Sequence, residues 1–251
     1  MYLPITEFRQ QIVDTIKANR VVILTSPTGS GKTTQVPQYL LEEGYSSILT
    51  QPRRLAARAV AQRMAKETGT KLGELIGLNT RYEKHYSALT RCLVSTDGLV
   101  VIRELLGHNT CDVLILDEVH EGGLHTEVLM ALAKRALDRY ADLKLVIMSA
   151  TIDAPALSTY FDDAPIIALK GRSYKIRSKR PGASVEADAI DCLKMGKDVL
   201  VFQPGLSEIF STLGKIDEVL GDSVYCMPLH AQLSISEQER CFATYDRPKC
   251  I

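Results

Sequence analysis

The sequence predicts an α/β fold built on a parallel sheet. Three observations predict it. Short, nearly unbroken Val/Ile/Leu runs recur along the 251 residues, each run is followed by a stretch of helical periodicity, and the first run leads into a glycine-rich loop. Strands covered by helices on both faces read as continuous apolar runs rather than alternating ones. Alternation of such strands with helices gives a sheet with right-handed crossovers.

The elements follow in order. Ile5, Phe8, Ile12 and Ile16 recur at helical spacing, with Thr6 as the expected N-cap. Val21–Thr25 is the first expected strand, and Ser47–Thr50 the second. Leu55–Thr68 is an Ala-rich helix that Gly69 should stop. Cys92–Ser95 is the next strand; Asp97 precedes a helix over Gly98–Leu106, and Gly107 closes it. Val113–Leu116 and Leu145–Met148 complete the first series of strands. A boundary is expected near 168–182, where Pro165, Gly171, Pro181 and Gly182 cluster with a basic run, giving domains 1–168 and 169–251. The second series offers a strand at Val199–Phe202, a helix near Leu206–Leu220, a brief strand at Ser223–Cys226 and a helix near Ser236–Tyr245. It ends with Lys249-Cys250-Ile251, which reads as the opening of another strand, so an incomplete second domain is expected.

Composition narrows the function classes. With 45% hydrophobic and 24% charged residues the chain can bury a core and is not disordered. It lacks a run of 18 apolar residues, and Met1–Gln10 does not resemble a signal peptide. The expectation is a cytoplasmic protein, with a nuclear location left open, that acts as a monomer away from membranes. Cysteines at 92, 111, 192, 226, 241 and 250 form no C-x-x-C pair, which suits buried reduced thiols rather than a zinc or redox motif. The 30 Lys+Arg balance 30 Asp+Glu, yet residues 53–91 carry nine basic and three acidic side chains, and residues 170–180 six basic and none acidic. A local cationic track on a neutral protein is compatible with a polyanionic partner, and equally with solvated faces.

Two motifs carry chemistry. Ser26-Pro27-Thr28-Gly29-Ser30-Gly31-Lys32-Thr33 follows an expected strand and opens an expected helix. Its glycines let backbone N–H groups point at phosphate oxygens, and the helix N-terminus adds unsatisfied donors. Lys32 would reach the terminal phosphates of a nucleotide, and Thr33 would place its hydroxyl on Mg²⁺. Asp117-Glu118-Val119-His120 follows a second buried-type strand, so its carboxylates sit at the sheet edge where α/β folds bind ligands. Asp117 would hold Mg²⁺, Glu118 would orient and deprotonate a water, and His120 would either relay to a neighbouring segment or make a structural hydrogen bond.

In that order and context the motifs resemble the DEAH-box (DExH) RNA helicases of superfamily 2. Thr28–Gln35 is similar to motif I, Thr50–Ala57 to motif Ia, Ser95–Gly98 to motif Ib, Asp117–His120 to motif II and Ser149-Ala150-Thr151 to motif III. Leu3-Pro4-Ile5 with Arg9 resembles the segment before motif I; Asp163-Ala164-Pro165 and Gly171-Arg172-Ser173-Tyr174 resemble the crossing into a second RecA-like domain. Leu200–Gly205 resembles motif IV, and Pro228-Leu229-His230 the segment beyond it. The resemblance implies a P-loop, RecA-like first domain and a partial second one. It implies ATP with Mg²⁺, contacted by Thr28, Gly29, Ser30, Gly31, Lys32, Thr33 and Thr34, with Arg63 stacked on adenine. It places Arg53, Arg54, Thr96 and Asp97 along single-stranded RNA and makes Ser149 and Thr151 the coupling between the two sites. Gly122-Gly123 and Ala231-Gln232 depart from the family's usual residues. Motifs V and VI would lie past Ile251, so the chain as written is expected to bind ATP–Mg²⁺ weakly and hydrolyse it poorly. The expected activity is ATP-driven translocation on RNA, with an activating accessory protein implied by the family. Alternatives are a non-catalytic nucleic-acid-binding regulator, a P-loop kinase or GTPase, and a motor on DNA, since backbone contacts alone do not separate DNA from RNA.

Overall fold

The computed structural model describes residues 3–105, 107, 111–121, 123–150, 153–169, 178, 180 and 182–251. They form two units, Met1–Tyr174 and Lys175–Ile251. The basic run 170–180, the expected crossing at 171–174 and Thr151 fall wholly or mostly outside the described residues.

The first unit opens with a 3₁₀ turn at Pro4–Phe8 that runs into α1 (Arg9–Ala18). Thr6 is therefore not the N-cap expected from the sequence. Pro4 starts the turn one residue after Leu3, and Thr6 lies inside it, its N–H donating to Leu3 O at 3.0 Å. Then come β1 (Val21–Thr25), α2 (Lys32–Glu42), β2 (Ser47–Gln51), α3 (Arg54–Glu67), β3 (Ile76–Asn79), β4 (Lys84–His85) and β5 (Cys92–Thr96). They are followed by α4 (Asp97–Leu105), β6 (Val113–Leu116), α5 (Leu124–Arg139), β7 (Lys144–Ser149), α6 (Ala154–Tyr160) and β8 (Ile166–Ala168). The eight strands form one sheet in the order β4-β3-β5-β2-β6-β7-β1-β8, parallel except for the β3–β4 pair.

Period-two alternation along these strands supplies two cores. Val22 and Leu24 of β1, Leu49 of β2, Val113 and Ile115 of β6, and Val146 and Met148 of β7 pack with α1, α2 and α3. Ile23, Ile48, Leu114, Leu116, Leu145 and Ile147 point the other way and pack with α4 and α5. Both faces are covered, which is why the strands read as unbroken apolar runs. Gly77 in β3 is forced by close packing, because a Cβ there would come within 2.7 Å of Thr90 and 2.9 Å of Tyr86.

The second unit contains α7 (Val185–Lys194), α8 (Leu206–Leu220), β9 (Tyr225–Cys226), α9 (Ile235–Phe242) and β10 (Lys249–Cys250). Ser184 caps α7, and Ser234 with Glu237 forms a capping box on α9. The core is small, with Ala189, Leu193, Ile216, Val224 and Cys250 buried together. The strand expected over Val199–Phe202 is reduced to one bridge, Val199 to Cys250. Its partner β10 is two residues long and pairs on its other side with β9, so little ladder remains to extend it. All six cysteines are free, but only Cys92, Cys241 and Cys250 are buried; Cys192 lies on an exposed face of α7, against the expectation of burial throughout. Among the described residues no helix is long and apolar enough to cross a membrane.

Candidate functional site

The site is built at the carboxyl ends of β1, β2, β6 and β7. β1 and β2 are consecutive in the chain but separated in the sheet by β6 and β7. The loops that leave them therefore open a crevice at that edge.

After β1 the chain turns through Ser26–Gly31 into α2. Ser26 N–H donates to Ser149 O of β7 at 3.1 Å, tying the loop to its neighbour strand. The Ser26 and Ser30 hydroxyls share a 2.7 Å hydrogen bond, and Ser30 N–H donates to Pro27 O at 3.3 Å. The loop is thus closed from inside, with Pro27, Thr28 and Gly29 exposed at its tip. Gly31 has φ 97°, and a Cβ there would meet Leu3 and Ile5 at 3.1–3.3 Å, so only glycine satisfies both backbone and packing. No side chain caps α2, which leaves its first-turn amides to an anion. Thr34 turns back, its hydroxyl donating to Gly31 O at 3.4 Å.

Lys32, only 3% exposed, points its Nζ at Glu118 Oε1 at 3.3 Å. Asp117 is 1% exposed at the end of β6. Its Oδ2 accepts from Gln51 Nε2 at 2.6 Å and its Oδ1 from the Glu118 N–H at 2.9 Å. Burial pushes the Asp117 carboxyl up to about 6, and the Glu118 charge adds to this; hydrogen bonding by Thr33 and the Lys32 charge act against it. Glu118 has φ 53°, a left-handed conformation costly for a residue with a side chain, and the turn projects its carboxylate toward Lys32. His120 Nδ1 lies 3.4 Å from Glu118 Oε2 and 3.4 Å from the Ala150 N–H that follows β7. One nitrogen cannot donate to the carboxylate and accept from the amide together, so His120 makes one of these two contacts at a time.

The Thr33 hydroxyl and the Asp117 carboxylate make an oxygen donor pair suited to a hard divalent cation. Among the described residues there is no group of three or more His, Cys, Asp or Glu able to hold a metal. A magnesium ion that keeps waters and takes phosphate oxygens needs no such cage.

The other expected residues divide. Arg53 and Arg54 follow β2 and are exposed; Thr96 ends β5, in register with Gln51 of β2. These three share one edge of the sheet. Arg53 Nε contacts Glu121 at 3.1 Å, and the Arg54 guanidinium lies 4.8 Å from the centre of the Tyr82 ring. Asp97 is turned inward: it is 5% exposed, and its Oδ2 accepts from Thr126 Oγ1 at 2.9 Å. Arg63 is exposed on α3, its Nε 2.8 Å from Glu67 Oε1. Ser149 is wholly buried, and its hydroxyl has no hydrogen-bond partner among the described residues.

Gln51 and Glu67 were not singled out from the sequence. A polar residue ending the apolar strand Ser47–Thr50 was the available signal for Gln51. For Glu67 there was none, since a glutamate near a helix end is ordinary.

The sequence profile described as DEAD/DEAH box helicase matches residues 6–159. The chain is 37% identical, over 99% of its length, to the ATP-dependent RNA helicase HrpA of Escherichia coli, and 38% identical, over 96%, to the pre-mRNA-splicing factor ATP-dependent RNA helicase prp22 of Schizosaccharomyces pombe. It spans only 21% and 22% of those two relatives. The fold is similar to the crystal structure of the Escherichia coli DEAH/RHA helicase HrpB, with a TM-score of 0.85 and 30% identity over 99% of this chain and 34% of that one.

Proposed function

The chain belongs to the DEAD/DEAH box helicase family, and from that premise we propose that it is the nucleotide-binding part of an ATP-dependent RNA helicase that couples ATP hydrolysis to movement on, or remodelling of, single-stranded RNA. The observation that carries this reading is the buried Lys32 paired with the half-buried Glu118 beside the buried Asp117, below an uncapped helix N-terminus. In this reading the loop amides and the start of α2 cradle the triphosphate. Lys32 turns from Glu118 to the terminal phosphates, which offer a stronger anion. Glu118, released, accepts a proton from the attacking water, while His120 holds its second oxygen. Thr33 and Asp117 would hold Mg²⁺, which neutralises charge on the phosphates during transfer. Arg63 lies against the base. Arg53, Arg54 and Thr96 hold the RNA backbone through contacts blind to sequence. Asp97 acts from beneath that surface by anchoring α4 to Thr126. Ser149 and Thr151 couple the nucleotide and RNA sites.

Equilibrium binding and turnover test this together. Lys32→Ala should weaken ATP–Mg²⁺ binding more than tenfold, because it removes the only buried cation facing the phosphates among the described residues. Glu118→Gln should bind ATP as well as the parent chain and lose turnover by about 10²-fold or more. Binding of single-stranded RNA, and not of DNA of the same sequence, by the parent chain identifies the strand. Equal ATP affinity in the parent and Lys32→Ala would remove the reading.

A further inference from the structure

We propose that Glu67 is a positioning residue for nucleotide-base recognition: it fixes the Arg63 guanidinium and ties it to the helix that carries the phosphate loop. This rests on the assignment of Arg63 to the base. Glu67 is the last residue of α3, one helical turn past Arg63. Its Oε1 accepts from Arg63 Nε at 2.8 Å. Its Oε2 accepts from Gln35 Nε2 and from Gln38 Nε2, each at 2.8 Å. Both glutamines lie on α2, the helix that starts at Lys32.

One carboxylate thus joins three donors from two helices. A single surface i,i+4 ion pair would contribute only about 0.3–0.5 kcal/mol and would leave a long arginine free to move. Here the second oxygen is held by two amides from the opposite helix, so the carboxylate has one orientation and Arg63 inherits it. Burial alone would raise the Glu67 carboxyl, yet hydrogen bonds from Arg63, Gln38 and Gln35 hold it below its ordinary value. It stays an anion throughout the neutral range. A guanidinium gripped at Nε keeps its plane and its remaining N–H groups for a flat partner. The spacing also makes the link mechanical: Gln35 lies three residues after Lys32, so a shift of α2 on filling the phosphate loop is passed to Arg63 through Glu67.

The test compares two probes, ATP and inorganic tripolyphosphate, which shares the phosphates but has no base. Binding of each, with Mg²⁺, is measured on the 251-residue chain and on Glu67→Ala, Arg63→Ala and the double variant. The expected result is a loss of ATP affinity of roughly five- to tenfold in Glu67→Ala, with tripolyphosphate affinity unchanged. Unchanged tripolyphosphate binding also shows that the variant is folded. Arg63→Ala should lose as much, and the double variant no more than either single one, because both changes remove the same contact. Glu67→Asp, one methylene shorter, should recover part of the loss. Four results would overturn the proposal. Equal loss of both probes makes Glu67 structural. Full ATP affinity in Glu67→Ala, with a selective loss in Arg63→Ala, leaves Arg63 on the base without help. Multiplying losses in the double variant mean independent roles. A selective loss absent from Arg63→Ala removes the assignment on which the proposal stands.

Discussion

Burial holds the Asp117 carboxyl at about 6, above its ordinary 3.8. An acid whose folded pKa lies above its unfolded one binds a proton more readily when folded. The fold therefore gains stability as pH falls from about 6 toward 4, and lacks that gain at pH 7 and above. The difference is on the order of 2–3 kcal/mol, carried by the fold at neutral pH when neither nucleotide nor Mg²⁺ is present. Asp117→Asn keeps the shape and removes the charge; its oxygen still accepts from the Glu118 N–H, and its NH2 requires the Gln51 amide to turn its own oxygen inward. It should raise the melting temperature of the free chain at pH 7.5, with the advantage shrinking by pH 5, and it should abolish Mg²⁺-dependent turnover. Thermal melts at the two pH values check this; a variant no more stable than the parent at pH 7.5 would contradict it. The gathering of Lys32, Asp117, Glu118 and His120 was legible in the sequence because the last three follow an apolar run, Lys32 follows the loop that leaves another, and the sheet edge gathers such ends. The inward turn of Asp97 and the bond from Gln51 to Asp117 were not. Both depend on which side chain of a neighbouring element lies opposite, and spacing along one chain does not carry that information.

Among the elements, helices end against cations from strands or loops beside them, α1 and α5 among them. Lys144, the first residue of β7, donates its Nζ to Ile16 O at 2.8 Å, Lys17 O at 3.1 Å and Asn19 O at 3.1 Å, closing the end of α1. Arg20 donates to Leu137 O at 2.5 Å and Tyr140 O at 2.8 Å at the end of α5. Carbonyls at a helix C-terminus have no partners within the helix and carry the negative end of its dipole, so a cation satisfies both. Burial, with Arg20 nearby, lowers the Lys144 pKa, but the ammonium remains a donor to three carbonyls. Lys144→Met keeps the aliphatic stem and should cost about 1–2 kcal/mol. The expected result is a lower urea midpoint with an unchanged slope and unchanged ATP affinity; an unchanged midpoint would mean water replaces the ammonium at no cost. Element legibility follows the same physics. The strands fully covered by helices were found from their apolar runs. β3 was missed because Gly77 interrupts its run, and β4 because two residues, Lys84 and His85, give no period. Val199–Phe202 has the run, but Phe202 is 85% exposed and only Val199 forms a bridge. Apolar composition states that a segment can be covered, not that a partner strand lies beside it.

For the whole molecule, stability should be uneven between the two units. The expected division at 168/169 and the observed one at 174/175 differ over a stretch lying mostly outside the described residues. The contrast between the units rests on their cores instead. The first unit buries both faces of an eight-stranded sheet. The second has one small apolar cluster of five buried residues among those described, with Ile216 of α8 wholly enclosed in it. At about 0.05–0.15 kcal/mol per residue, a unit of this length has roughly 4–11 kcal/mol to lose. Ile216→Ala should cost about 2–5 kcal/mol, from lost transfer energy and the cavity left behind. That is a large share of the smaller unit's stability, and the five members of this cluster all belong to that unit. Hydrogen exchange should therefore show the amides of α8 opening faster in Ile216→Ala, while those of β1, β2, β6 and β7 keep the parent's protection. ATP affinity should be preserved, since Lys32, Asp117 and Glu118 all belong to the larger unit. If exchange accelerates equally in both, the chain unfolds as one cooperative body, and the small cluster is not a separate unit of stability.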